Sequence, residues 1–354
     1  MVRVGLAGYA SAGRGIHAPL IREAGLELAA VATSNPDRRA EVDADFPDAL
    51  VVDDLDALLA VEGLDVIVLA TPSGSHLEHA LKVIEAGIAC VVDKPLAVTA
   101  DDCLTVVDAA EQAGVPLTVF HNRRYDPSHT TLATVVADRL AGEPFRCELR
   151  WERWRPVPKD RWRENASATE GGGILLDLHA HLIDSAVQLF GPILTVFATV
   201  ESHTTPAEDD AFLVCRHTSG VVSHLGATSV AGAAGPRVRL LGRDAAYVQN
   251  DFEGEPNVFP DTADADADHC GWLFRALERE AVPTTPADQV DFYRAVGAAL
   301  DAPDRQATMP VDPRDAIHTL AVIDAARASA EGERVVEVIT PGLRPGHTDE
   351  EPLT

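Results

Sequence analysis

Lysine is almost missing from this chain. Only Lys82, Lys94 and Lys159 occur, so 26 of the 29 basic residues are arginines and a lysine runs against the composition. Positive charge as a whole is scarce, since 56 acidic residues leave a net charge of -27. Such a surface repels phosphate backbones and anionic headgroups, so neither nucleic acid nor a membrane is an expected partner. No run of about 18 apolar residues is available to span a bilayer. Met1 leads into a strand-like run rather than a basic-then-apolar leader, and the expected location is the cytoplasm. The five cysteines (Cys90, Cys103, Cys147, Cys215, Cys270) are odd in number, widely spaced and without a C-x-x-C pair. Neither disulfide nor zinc arithmetic fits that spacing, which leaves reduced, mostly buried thiols.

What is present has the composition of a folded protein. The 354 residues are 46% hydrophobic and 24% charged, enough for roughly two domains. The first third alternates short apolar runs with helical stretches, the rhythm of βαβ units and a mostly parallel sheet. Six strands are read: Val2 to Ala7, Leu26 to Ala32, Leu50 to Val52, Val66 to Ala70, Ala89 to Asp93 and Leu117 to His121. After about Arg139, Phe145, Cys147, Leu149 and Trp151 alternate with Arg146, Glu148 and Arg150, as in a strand with one wet face. A helix from about Ile174 to Phe190 follows, with strand-like runs at Leu194 to Glu201, Ala211 to His217, Val221 to Ala227 and Arg237 to Gly242. The expected class is α/β: a doubly wound parallel sheet over residues 1–122, then an α/β domain with a large open, mostly antiparallel sheet over 123–340. A late helix at 313–331 is expected to reach back to the first domain, and 341–354 to form a flexible acidic tail.

The first strand runs into Gly8-Tyr9-Ala10-Ser11-Ala12-Gly13, where dinucleotide-binding (Rossmann) folds place G-x-G-x-x-G before a helix. Gly8 suits the tight turn and Gly13 suits close helix–strand approach, while Ala10 puts a methyl where the pyrophosphate meets backbone. An NAD site normally has an acid at the end of the second strand, but here the chain reads Ala32-Thr33-Ser34-Asn35. Ser34 with Arg38 or Arg39 could instead hold a 2'-phosphate, which favours NADP over NAD. Asp37 is a confounder.

The fifth strand ends in Lys94-Pro95, and ligands of open parallel sheets sit at the carboxyl ends of strands. Farther on, Asp177, His181 and Asp184 share one helical face after the run Gly171-Gly172-Gly173, with His179 pointing elsewhere. A carboxylate and an imidazole together, behind glycines that admit a ligand, suit proton transfer. A zinc site made by these three with His121 is weighed and set aside, because no H-E-x-x-H occurs, and no metal is expected.

The glycine turn, Val91-Val92-Asp93-Lys94-Pro95, and the triple glycine followed by Asp177 and His181 together resemble the glucose-fructose oxidoreductase, inositol dehydrogenase and rhizopine-catabolism family (Gfo/Idh/MocA). The resemblance runs from Met1 to about Val338 and is greatest to the NADP-dependent scyllo-inositol dehydrogenase branch. That branch is marked by His17-Ala18-Pro19-Leu20, Phe120-His121-Asn122-Arg123-Arg124-Tyr125-Asp126, Arg153-Trp154-Arg155-Pro156 and Asp160-Arg161-Trp162-Arg163-Glu164. It implies a sugar or polyol substrate and a homodimer or homotetramer. It further implies that Lys94 bonds the reacting hydroxyl, His181 is the general acid/base, and Asp177 orients or assists that imidazole. The expected cofactor contacts are Gly8, Tyr9, Ala10, Ser11 and Gly13 in the turn, Ser34 and Arg38 after the second strand, and Thr71, Pro72, His76, Lys94 and Pro95 beyond. On the substrate side Asn122, Arg123 and Tyr125 follow the sixth strand, and Arg155 and Trp162 offer a polar arm and an aromatic face to a sugar ring, as His181 offers its imidazole. An aldose or keto-sugar dehydrogenase, or a non-catalytic nucleotide sensor, stays open as an alternative.

Overall fold

The computed structural model describes residues 1–250 and 268–342; the expected tail at 341–354 therefore lies outside the described residues except for its first two. Six strands rich in Val, Leu, Ile and Ala form the first sheet: β1 (Arg3–Ala7), β2 (Glu27–Ala32), β3 (Leu50–Val52), β4 (Val66–Leu69), β5 (Ala89–Asp93) and β6 (Leu117–Phe120). All pairs are parallel, in the order β3-β2-β1-β4-β5-β6. Strands covered by helices on both faces need no polar alternation, and β4 accordingly reads Val-Ile-Val-Leu, buried throughout. The order reverses between β1 and β4, so the crevice at the carboxyl ends of β1, β4 and β5 is where a ligand fits such a sheet.

Local sequence sets the helix limits. Asn35 caps Pro36–Asp45 by accepting the Arg38 N–H at 3.0 Å, and Thr99 caps Ala100–Ala113, which Gly114 ends at φ +64.

The second sheet has nine strands: β7 (Pro144–Glu152), β8 (Ile193–Glu201), β9 (Asp210–His217), β10 (Val222–Thr228), β11 (Val238–Gly242), β12 (Ala246–Gln249), β13 (His269–Arg275), β14 (Glu278–Pro283) and β15 (Val336–Glu337). Their order is β14-β13-β12-β11-β7-β10-β9-β8-β15, antiparallel except for the central β7–β10 pair. Buried and exposed residues alternate along β9, the mark of a sheet with one covered face.

Two late segments reach back. Phe292, Tyr293 and Val296 of helix Val290–Asp301 join the core on one face of the first sheet, with Tyr9, Ile21 and Phe120. Helix Arg314–Gly332 lies against both β8 and helix Ala100–Ala113. Asp324 of that helix accepts the Ala100 N–H at 2.9 Å, and Ser329 accepts the Ala198 N–H at 3.0 Å.

One buried ion cluster fastens these parts. Arg124, just after β6, grips Asp184 of helix Ala180–Phe190 through two nitrogens at 2.9 and 2.5 Å and reaches Asp315 at 2.8 Å. The Asp184 side chain is 4% exposed and that of Asp315 34%. Asp184→Ala would leave the partly buried guanidinium with Asp315 alone and is expected to cost about 1.5–3 kcal/mol in urea unfolding. Asp315→Ala, at the wetter end, is expected to cost about 1 kcal/mol or less.

Candidate active site

The glycine turn is built as its sequence requires. Gly8 sits at φ +96, where a Cβ would meet the Ala70 carbonyl oxygen at 2.6 Å, and a Cβ on Gly13 would lie 2.0 Å from the Gly8 oxygen. The backbone then enters a helix whose first full turn, Gly13–His17, is π-type. Beside it opens a cleft of about 780 Å³ whose lining includes Tyr9, Ala10, Ser11, Arg14, Arg38 and Trp162. The cleft suits an extended dinucleotide: the two glycines keep the backbone close, and a helix start faces the space.

The candidate phosphate ligands separate clearly. Arg39 is committed to Asp53 at 2.7 Å and to the Thr33 carbonyl at 3.2 Å, and Arg14 is pinned by Glu41 and Asp45. Arg38 is exposed and faces the cleft, while Ser34 is exposed at the end of β2 but is not among the cleft's lining residues. Tyr9 is buried and donates its hydroxyl to Asp45 at 3.1 Å.

Two expected contacts, Thr71 and His76, are otherwise engaged. Thr71 Oγ1 lies 3.0 Å from His79 Nδ1, and Pro72 is exposed beside it. His76 is buried and spans the carbonyls of Thr71 (2.9 Å) and Pro95 (2.7 Å), so it braces two loops at the cleft instead of facing a ligand. The Lys94–Pro95 peptide is cis.

Lys94 is 9% exposed. Its Nζ donates to the Asp177 backbone oxygen at 2.6 Å and to Asp177 Oδ1 at 3.2 Å. Arg163 reaches the same carboxylate oxygen at 3.3 Å. Burial alone would raise the Asp177 carboxyl, but Lys94, Arg163 and Arg153 hold it well below the usual range. Burial lowers the Lys94 ammonium, and Arg163 lowers it further against the opposing pull of Asp177.

Two expectations about the helix need correction. Asp177 lies in a π-helical turn, Leu175–His179, that precedes the α-helix Ala180–Phe190. The wider turn breaks the even spacing assumed for Asp177, His181 and Asp184: the first serves Lys94 and Arg163, and the last serves Arg124. His181 takes neither carboxylate. It is 7% exposed, stacks on Trp151 with centroids 5.6 Å apart, and leaves Nδ1 buried without a hydrogen-bond partner among the described residues. Burial first, then Lys94 and Arg123, push its imidazole well below the ordinary value, so it is neutral at pH 7. His179 does point elsewhere, its Nε2 lying 3.2 Å from the Leu225 carbonyl oxygen.

The triple glycine admits protein, where a ligand was expected. A Cβ on Gly171 would strike Gly74 N at 2.9 Å, on Gly172 the Ala166 oxygen at 2.3 Å, and on Gly173 the Glu208 carboxylate at 2.4 Å. The substrate-side residues are divided too. Asn122 donates to Gln289 at 3.1 Å, Tyr125 packs edge-on to Phe292, and Arg123 lies 5.1 Å over Trp151. Arg155 lines a small pocket that also includes Arg153, Arg163 and Asp177, whereas Trp162 lines the large cleft with Tyr9 and Arg38. Sequence reasoning missed Arg163 and Trp151 as site residues; the signal for Arg163 was its place in the arginine-rich run after Asp160. Among the described residues no group of three His, Cys, Asp or Glu side chains is placed to hold a metal ion, and no helix is long and apolar enough to cross a membrane.

Comparison with known proteins gives this geometry its family. Residues 2–121 match the Gfo/Idh/MocA oxidoreductase family model, described as an NAD-binding Rossmann fold, and residues 129–248 match the family's C-terminal domain. The chain is 28% identical over 349 residues to scyllo-inositol 2-dehydrogenase (NADP(+)) IolW of Bacillus subtilis (strain 168), covering 95% of each. It is 31% identical over 344 residues to the uncharacterized oxidoreductase YdgJ of Escherichia coli (strain K12), covering 93% of this chain and 96% of that one. The solved structure of yvaA from Bacillus subtilis superposes with a TM-score of 0.83 at 27% identity, over 96% of this chain and 98% of that one. The turn, the lysine after β5, the carboxylate that holds it and these matches together place the chain in the Gfo/Idh/MocA family of oxidoreductases.

Proposed function

We propose that this oxidoreductase is an NADP-dependent dehydrogenase that transfers hydride between a secondary hydroxyl of a cyclic polyol or sugar and the nicotinamide. The observation that carries the reading is Lys94 at the carboxyl end of β5, fixed by Asp177, in a site it shares with a neutral, buried His181. The inositol dehydrogenase named above supports the substrate class.

The nicotinamide supplies the hydride acceptor when bound. Lys94 donates a hydrogen bond to the reacting hydroxyl and stabilises the developing alkoxide. His181, being neutral, takes the hydroxyl proton, and returns it in reduction. Asp177 keeps the ammonium charged and aimed, a role that fits its contacts better than orienting the imidazole. Arg38, which lines the cleft, would hold the 2'-phosphate, with Ser34 next to it at the end of β2 as a second donor. The chain divides at about residue 122 into a cofactor-binding and a substrate-binding part. Five free cysteines accord with a reducing compartment such as the cytoplasm. Copies assemble as dimers or tetramers through the open face of the second sheet, where Phe197 and Phe212 are 38% and 40% exposed.

Calorimetric titration is expected to show NADP binding more tightly than NAD. Arg38→Ala should weaken NADP about tenfold to a hundredfold, by loss of charge-assisted bonds, and leave NAD nearly unchanged. Equal loss for both nucleotides would remove Arg38 from the 2'-phosphate.

Lys94→Ala is expected to lower kcat about 100-fold or more with an unchanged circular dichroism spectrum. Because the base form of His181 persists down to its depressed pKa, the acid limb of kcat/KM for oxidation should lie below about 6.5, the ordinary imidazole value. His181→Asn should abolish that limb with most of the rate.

Light scattering on the purified protein should give a dimer or tetramer mass, and Phe212→Glu should shift it to the monomer.

A further inference from the structure

We propose that Trp151 is the positioning residue of the proton transfer: its indole, clamped by three arginines, fixes the plane of the His181 ring and meets it with a face already drawn to cations. This rests on the reading of His181 as the base.

A catalytic imidazole is usually oriented by an acceptor on its second nitrogen. His181 has none, since Nδ1 is buried without a partner among the described residues and both nearby helix carboxylates are bound elsewhere. Stacking is the restraint that remains. Trp151, near the end of β7, is 4% exposed and lies against His181 at an interplanar angle of 29°.

The same indole carries Arg237 at 4.4 Å, Arg153 at 5.0 Å and Arg123 at 5.1 Å from its ring. An aromatic face attracts cations, each at about 0.5–2 kcal/mol, through a fixed quadrupole. With three guanidiniums drawn to it, the indole offers little to a fourth cation, so an imidazolium there meets repulsion with no compensating partner.

The groups facing His181 agree in sign. Lys94 comes from the end of β5, His121 from the end of β6, Arg123 from the turn after it, and Arg237 from the segment leading into β11. Asp177, on the turn before His181, spends its charge on Lys94 and Arg163.

Protonated imidazole quenches a stacked indole, so tryptophan fluorescence of the full-length protein reads the contact without turnover. The expected result is a fall in emission below pH 6.5 that His181→Asn and Trp151→Phe both remove.

In kinetics Trp151→Leu admits water and should move the acid limb of kcat/KM upward, toward 6.5. It should also lower kcat tenfold or more with KM changed less than threefold, and Trp151→Phe should restore most of kcat. A fluorescence step unchanged in His181→Asn, or an acid limb unmoved in Trp151→Leu, overturns the proposal. If no polyol or sugar is turned over, the functional reading fails while the fluorescence comparison still decides the role of Trp151.

Discussion

The structure depends on one partly buried carboxylate answered by two cations. Asp177 belongs to the π-turn that leads into the helix over the second sheet, Lys94 to the carboxyl end of β5 in the first, and Arg163 to the short helix Trp162–Asn165 between β7 and that turn. Removing such charges from water costs several kcal/mol per ion, which only close and complete pairing offsets. The Lys94 bond to the Asp177 backbone oxygen supplies part of that completion. The two sheets are thereby registered where Lys94 meets the segment that leads into the His181 helix.

Behind this pair the protein inverts the device, with one cation, Arg124, answered by two carboxylates, Asp184 and Asp315. The outer cluster fixes the helix that carries His181, and the inner one fixes the lysine. Between them His181 is left without a carboxylate. A chain with 56 acidic residues thus surrounds its candidate base with cations, which shows that the local arrangement and not the net charge sets the chemistry.

Much of this was legible in the residues. The six parallel strands follow from short Val- and Leu-rich runs, and Gly8 and Gly13 from the needs of a tight turn. Lys94 stood out by rarity. What could not be read was mostly three-dimensional pairing. Strand β12 has only four residues, β13 and β14 show no clear alternation of apolar and polar residues, and β15 is a two-residue edge fixed by its neighbour β8. A π-turn has no periodicity of its own, so Asp177, His181 and Asp184 were assigned one face that the backbone then distributed among three partners. Likewise no spacing rule shows that His76 would serve two carbonyls, or that a glycine run would admit backbone where a ligand was expected.

Helix Val290–Asp301 covers one face of the first sheet, although nearly 170 residues separate it from β6. During synthesis the six strands are made well before the segment that seals them. Until Phe292, Tyr293 and Val296 have left the ribosome, the apolar side chains of Ile21 and Phe120 lack their cover. The first half of the chain therefore cannot mature ahead of the second. A gene truncated after the sixth strand would encode a sheet with a sticky face and not a free-standing nucleotide-binding module.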